Sequence, residues 1–439
     1  MKQQSYIFIL LLVFFSSCLK DSVKTESTFT ANVPITVSKA TIIENTIVKE
    51  ATTLVNPGKI YVFNNFLFVS EKGLGVHIID NSNPSNPINI AFIQIPGNID
   101  IAVDGNYLYA DSFKDLLTID ISDPTSPIIK SRLENVFDQS YIMPNFNNDY
   151  PMSDYEITDG EEIVSWRLEE VKEVCKGSDC FYNQRFFWED NIAFTSDFFG
   201  NGIGGTSATG GKTNSDFGGR AGSMTRFMIY QDNFFAINSW NTMKAYKISS
   251  DGLSDFNNTV EIGRNIETLF TLGSNLFVGA QAGLFIYDLT NPVNPSYISQ
   301  FNHATACDPV VVFENYAYVT LRGGNNCGGW GNQLDIINIS DITNPILDNT
   351  IEQTAPYGLG VDGYRNVLFV CDNLSELKVY DITSAPNLVL IDRIQNVEAF
   401  DVIPLLGNLI VSASNGIFQY DYTDVNNINL LSQIPIAQP

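Results

Sequence analysis

The sequence predicts an all-β chain folded as a β-propeller of about seven four-stranded blades, with one large loop insertion. Three observations lead there. A strand pair recurs with a period near 40 residues, the size of one propeller blade. The composition is 44% hydrophobic and 17% charged, with 31 Gly and 18 Pro in 439 residues, a mix that favours short strands and tight turns. A single small sheet cannot bury both its faces, so neighbouring sheets must stack, and a closed ring shields their edges.

The first member of the strand pair reads FLFVSE from Phe66, YLYADS from Tyr107, FFAINS from Phe234, NLFVGA from Asn275, YAYVTL from Tyr316, VLFVCD from Val367 and NLIVSA from Asn408. The second ends on an anchor residue followed by a turn: Asp80, Asp120, Lys247, Asp288, Asn338, Asp381 and Asp421. The anchor spacings are 40, 127, 41, 50, 43 and 40, one period broken by a large insertion at 138–221 and a small one at 322–333. An Asp or Asn at a strand end accepts hydrogen bonds from nearby backbone amides, and the Ser or Thr two residues on adds a turn of its own. Pro87, Pro127, Pro295 and Pro345 then fix φ, remove a donor and end the ladder. Earlier strands (NIDIAV from Asn98, IETLFT from Ile266) and later ones (INIAFIQI from Ile88, SYISQF from Ser296) complete four per unit.

The chain opens with Lys2, an apolar run from Tyr6 to Phe15, then Ser16, Ser17 and Cys18. The run is too short for a membrane span and reads as a signal peptide. FFSSC resembles a bacterial lipobox, with Phe15 standing where Leu is usual. The resemblance implies cleavage before Cys18 and lipidation of that cysteine, with acyl chains such as palmitate as the membrane anchor. The expected organisation is a signal peptide at 1–17, a lipidated Thr/Ser/Val-rich tether at 18–55 and the propeller at 56–439. The expected location is the outer membrane, facing the periplasm or the cell surface.

Acidic residues outnumber basic ones 49 to 24, for a net charge of −25. Phosphate backbones and anionic headgroups are repelled by such a surface, which argues against nucleic acid. Of the six cysteines, Cys175 and Cys180 are spaced for a small disulfide loop. Cys307 and Cys327 flank a strand pair and are expected to form a second bridge if their Cα atoms lie within about 7 Å. Cys371 is left over. With no CxxC and only His77 and His303 as imidazoles, neither a metal site nor a cofactor is expected.

The strand-plus-turn units resemble the LVIVD-repeat family of bacterial β-propeller proteins, often exported lipoproteins. The resemblance spans residues 59 to 437. Its most specific stretch is ACDPVVVFENYAYVTLRGGNNCGGWGNQLDIINISD, from Ala306 to Asp341. It implies the fold and leaves the biochemical role undefined.

In a propeller, the connections between blades and those between the two middle strands emerge on one face, so both insertions are expected there. That face gathers Trp166, Trp188, Trp240 and Trp330, with Arg220, Arg226, Arg322, His303 and Asp308. Trp offers broad apolar area with a polar handle and is enriched at interfaces. The glycine-rich stretch from Gly200 to Gly219 lacks phosphate-loop spacing, because Thr206 stands where the first Gly is required. The acidic segment Asn147 to Glu162 lacks EF-hand spacing. No catalytic constellation is evident. The expected function is a non-enzymatic binding or assembly module of the envelope with a protein or glycan ligand. The alternative is an envelope hydrolase or lyase using carboxylates near the propeller channel.

Overall fold

A computed structural model describes residues 24–138, 150–153, 156–176, 220–221, 223, 225–250, 252–263, 265–302, 309–323, 331–372 and 376–437. Seven antiparallel sheets of four consecutive strands form blades 1 to 7, at 57–94, 101–133, 227–261, 266–301, 310–352, 356–395 and 399–435. From blade 1 through blade 7 the first strands of successive blades pack against one another and line the axis, and at the seam the first strand of blade 1 meets the second strand of blade 7, so the chain runs outward through every blade. Antiparallel order then gives the ring two unlike faces. The turn face carries the hairpins joining first and second strands and the turns joining third and fourth. The loop face carries the other connections.

The turn face repeats one device. The carboxylate or amide oxygen of the anchor accepts the backbone N–H two residues on, at 2.9 Å from Asp80 to Ser82, 2.9 Å from Asp120 to Ser122, 2.8 Å from Asp288 to Thr290 and 3.0 Å from Asn338 to Ser340. Asp381 and Asp421 do the same with Thr383 and Thr423. The residue after the anchor turns inward, and its N–H reaches the carbonyl of the blade's inner hairpin in all seven blades, as in Ile339 to Asn315 at 2.8 Å. Blade 3 has Lys247 at the anchor, which pairs with Asp232 at 3.5 Å on the surface. The outer strand carries a bulge, as at Asp348, which lies between the partners of Ile336 and Ile337. Asn258, Ser299, Asn349 and Ser432 there bond carbonyls of the next blade's turn, those of Val293, Ile342, Pro386 and Pro84.

Aromatic and branched side chains fill the space between blades. The Phe234 ring meets Tyr109 of blade 2 in a tilted pair at 5.1 Å and Phe227 edge-on at 5.2 Å, and all three are buried. Burial of one such ring is worth roughly 1.5–3 kcal/mol.

The stretch expected as a tether is largely ordered from residue 24. Lys24–Ser38 pairs along its whole length with Glu161–Lys176 of the large insertion, forming a two-stranded ribbon. The helix Lys39–Glu44 follows, and Ile47–Lys49 then adds a strand to the outer edge of blade 1. The Thr, Val and Ile content that suits a spacer equally suits a strand, and the partner lies more than 100 residues away, beyond any local pattern. The ribbon's base is pinned to blade 2, where Lys39 meets Glu134 at 2.9 Å and Asp115 at 3.4 Å, and Arg132 meets Asp115 at 3.0 Å.

Candidate functional site

The insertion leaves blade 2 on the loop face, where the Asp138 amide donates to the Asn238 carbonyl of blade 3 at 3.0 Å. Its return is elsewhere. Arg220 and Ala221 pair with Val62 and Tyr61 on the innermost strand of blade 1, next to the Asn64–Asn65 hairpin of the turn face. From there the chain runs up the axis to Arg226 and enters blade 3. The expectation that the whole insertion gathers on the loop face is therefore corrected: Arg220 lies at the turn-face end of the axis. An inner strand with an open edge takes the returning segment as one more strand.

Six buried polar residues meet along this segment: Lys59, Asp100, Asp111, Ser223, Arg226 and Asp401, with Thr225 between them. The Lys59 ammonium donates to Asp100 and to Thr225. Asp111 Oδ1 accepts from the Asn98 side chain at 2.9 Å and from the amides of Ile99 at 2.7 Å and Asp100 at 3.0 Å. Asp401 Oδ1 accepts from the Ser223 amide at 3.2 Å. Burial lowers the Lys59 ammonium below its usual range, against the pull of Asp100. Burial likewise raises the Asp111 carboxyl to about 7, although Arg226 and the two amides oppose it.

A carboxyl near pH 7 beside two cations resembles catalytic tuning. Here, however, Asp100, Asp111 and Asp401 are at most 3% exposed, and each holds an internal donor on at least one oxygen. Carboxylates do converge on the axis, and they are buried there. Arg226, expected on the binding face, is buried in this cluster at 2% exposure and corrects that expectation too. Its amide donates to Asp100 at 2.9 Å.

The loop face proper is built from individually capped strand entries. Glu71 of blade 1 accepts from the amides of Val55, at 2.9 Å, and Asn56, and from His77 Nε2 at 3.0 Å. Asp372 of blade 6 accepts from Thr354 at 2.9 Å and Ala355 at 2.5 Å, and Lys378 pairs with it at 2.5 Å. Burial would raise both carboxyls, but the His77 or Lys378 partner together with the amides outweighs it and holds each below the usual range.

Of the predicted surface residues, Trp240 lies half-buried in the middle loop of blade 3, with its carbonyl accepting from Ile266 at 3.0 Å. Arg322 lies half-buried in the middle loop of blade 5, its guanidinium 4.1 Å over the Tyr357 ring of blade 6. Trp166 lies in the ribbon opposite Pro34. Trp240 and Arg322 thus both lie in middle loops on the loop face. Cys18, Cys180, Trp188, His303, Cys307, Asp308, Cys327 and Trp330 lie outside the described residues, and Cys175 is placed only by its backbone pairing with Thr25. Both expected disulfides involve residues outside that set. Cys371 is a free thiol, fully buried, which pushes its pKa up. Among the described residues no group of His, Cys, Asp and Glu is arranged to hold a metal, and no helix is long and apolar enough to cross a membrane.

Sequence reasoning missed the axial segment and the ribbon. Two signals were available: the polar run Ser223, Thr225 and Arg226 just before an inner strand, and Gly358 and Gly360 within another. A Cβ on Gly358 would sit 2.6 Å from the Phe400 carbonyl and 3.0 Å from Ser223 Oγ, so only glycine lets the axial segment approach.

The chain carries LVIVD repeats, matched at residues 57–91, 98–134 and 305–352, which coincide with blades 1, 2 and 5. No curated protein matches the chain. Among solved structures, a protein from Lactobacillus plantarum is similar over 87% of this chain and 97% of its own, at 12% identity and TM-score 0.53. A functionally unknown protein from Desulfotomaculum acetoxidans DSM 771 matches over 84% and 95%, at 10% identity and TM-score 0.51. The computationally designed Ika8 protein matches over 88% and 90%, at 9% identity and TM-score 0.47. At such identities the first two likenesses are of fold alone.

Proposed function

We propose that this chain is a non-enzymatic binding or assembly module of the cell envelope, held by lipid on Cys18 and engaging a protein or glycan through its loop face. The observation that carries the reading is the contrast between a sealed axis and an elaborated loop face. The axial carboxylates are occupied by internal donors. The non-repeat additions, namely the ribbon base, the start of the large insertion and the long middle loop of blade 5, join the ring on the loop side. Arg322 over Tyr357 and the half-buried Trp240 supply residue types that anchor interfaces.

Two measurements test the two halves of this reading. Metabolic labelling with an alkynyl palmitate analogue should mark the wild-type chain and not Cys18→Ala. Equal labelling of both, or of neither, contradicts the anchor. Co-purification from detergent-solubilised envelope should recover a stoichiometric partner or glycan with the wild type, and this should fall at least tenfold in Trp240→Ala/Arg322→Ala. Recovery unchanged by the double substitution would put the surface elsewhere.

A further inference from the structure

A ring of sheets needs a closing device, because the interface between its last and first blades has no peptide connection. One common device is a blade that draws strands from both ends of the chain. Here the four strands of blade 1 come from one contiguous stretch, and so do those of blade 7. Their seam is held by apolar contact of Ile60, Val62 and Leu67 with Ile403, Ile410 and Ile417 around Leu54. It also has a reciprocal amide pair, Asn81 with Gln419 at 2.9 and 2.7 Å, the bonds of Ser432 to Pro84 and of Ser412 to Gly58, and the pairing of Leu54 with Ile436 at the outer end.

The axial segment adds something that no blade supplies. Arg220 and Ala221 pair with blade 1, whose Lys59 also donates to Thr225. The Arg226 amide bonds blade 2 through Asp100, and its carbonyl accepts from Ile237 of blade 3 at 2.9 Å. The Thr225 carbonyl accepts from Leu269 of blade 4 at 2.9 Å. Ser223 Oγ accepts from the Leu359 amide of blade 6 at 2.7 Å, and its own amide donates to Asp401 of blade 7. One short stretch is thus bonded to six of the seven blades. Ser223, Thr225 and Arg226 are at most 2% exposed, so each of these bonds is shielded from water.

We propose that residues 220–221, 223 and 225–226 are the closure element of the ring, a central hub that ties blade 7 to blade 1 across the axis in place of a shared blade. The large insertion is then a fold-completing part of the propeller and not a dispensable loop. The hub binds both sides of the seam, through Ser223 to Asp401 on blade 7 and through the pairing with Tyr61 and Val62 on blade 1. It also enters blade 3 directly, so the seam gains a path of hydrogen bonds to the far side of the ring.

Hydrogen exchange followed by mass spectrometry on the full chain tests this, because exchange reports the local opening of each strand. In Ser223→Pro/Thr225→Val, which removes the amide donated to Asp401 and the hydroxyls bonded to Leu359 and Lys59, amides of 57–63 and 399–405 should exchange at least tenfold faster, while those of 275–280 and 316–321 keep wild-type rates. Ser299→Ala, which removes the clasp between blades 4 and 5, should leave the seam unchanged. Seam rates unchanged in the hub variant, or a rise shared equally by all blades, would overturn the proposal. If the hub variant does not fold, the wild type decides: the Leu359 amide, bonded to Ser223, should fall in the slowest-exchanging class with 399–405. Exchange there a hundredfold faster than at the seam would mean that the ring stays closed without its hub, and the proposal fails.

Discussion

The two faces of this propeller are built on different principles. On the turn face, one local solution recurs: an Asp or Asn at the strand end accepts the amide two residues on, in six of seven blades. Each bond lies within its own blade and is exposed to water. On the loop face and along the axis, devices recur in some blades and not in others: the hydroxyls of Ser70, Thr320 and Ser412 bond a carbonyl at the entry of the next blade, and two carboxylates cap strand entries in the same way while a third differs. Glu71 caps one strand entry with help from His77, Asp372 caps another with help from Lys378, and Asp111 caps a third at the axial cluster. Buried bonds there span up to 354 residues of sequence. The difference teaches where information sits: the anchor turns set the repeat, and long-range pairs hold the ring, on the loop side and axis and, through Asn81 and Gln419, at the seam on the turn face.

Breaking one pair on each side should expose this asymmetry. Lys378→Met leaves Asp372 buried with its charge uncompensated and should cost about 3–5 kcal/mol, read as a lowered midpoint in urea unfolding. Adding Asp372→Asn should recover part of that loss. Gly358→Ala, forcing a Cβ to 2.6 Å from the Phe400 carbonyl, should cost about 2–3 kcal/mol by overpacking at the axis. By contrast, Asn338→Ala on the turn face removes three exposed bonds within its blade, from Ser340 N at 3.0 Å and Oγ at 2.7 Å and to Asp348 at 2.9 Å. It should cost only about 1 kcal/mol. A turn-face loss equal to that at Lys378 would erase the distinction.

The axial Asp111 responds to pH with a sign opposite to that of the turn carboxylates. The turn carboxylates, such as Asp120 at about 2, are depressed by the bonds to their Ser or Thr partners, so their contribution is lost as pH falls from about 4 toward that value. Asp111 is raised to about 7 by burial. The folded state therefore holds its proton while the unfolded chain, with a carboxyl near 3.9, releases it, and stability falls as pH rises from about 4 to 7. Asp111→Asn should flatten that upper limb of a thermal-midpoint profile and leave the acid limb unchanged. A wild-type midpoint that climbs between pH 4 and 7 would reverse the sign and reject the reading.

The turn face was legible in the sequence because its cause is local. Asp80, Asp120, Asp288, Asn338, Asp381 and Asp421 stand at strand ends, and each meets its partner two residues later. The seven strand pairs and their order followed from the same register. The axis was not legible, because Ser223 meets Leu359 and Asp401, and Lys59 meets Thr225, across 136 to 178 residues with no periodic signal. The ribbon escaped for the same reason. Arg226 stands beside an inner strand in the sequence as it would on a surface loop, and only the path up the axis buries it.

The central claim is that recognition belongs to the loop face and not to the turn face. A photo-crosslinking amino acid placed at Trp240 on the loop face, and in a second strain at Tyr364, which is 81% exposed on the turn face, tests it in intact cells. The account predicts a discrete adduct from position 240 and none above background from position 364. A discrete adduct from 364 with none from 240 would contradict it.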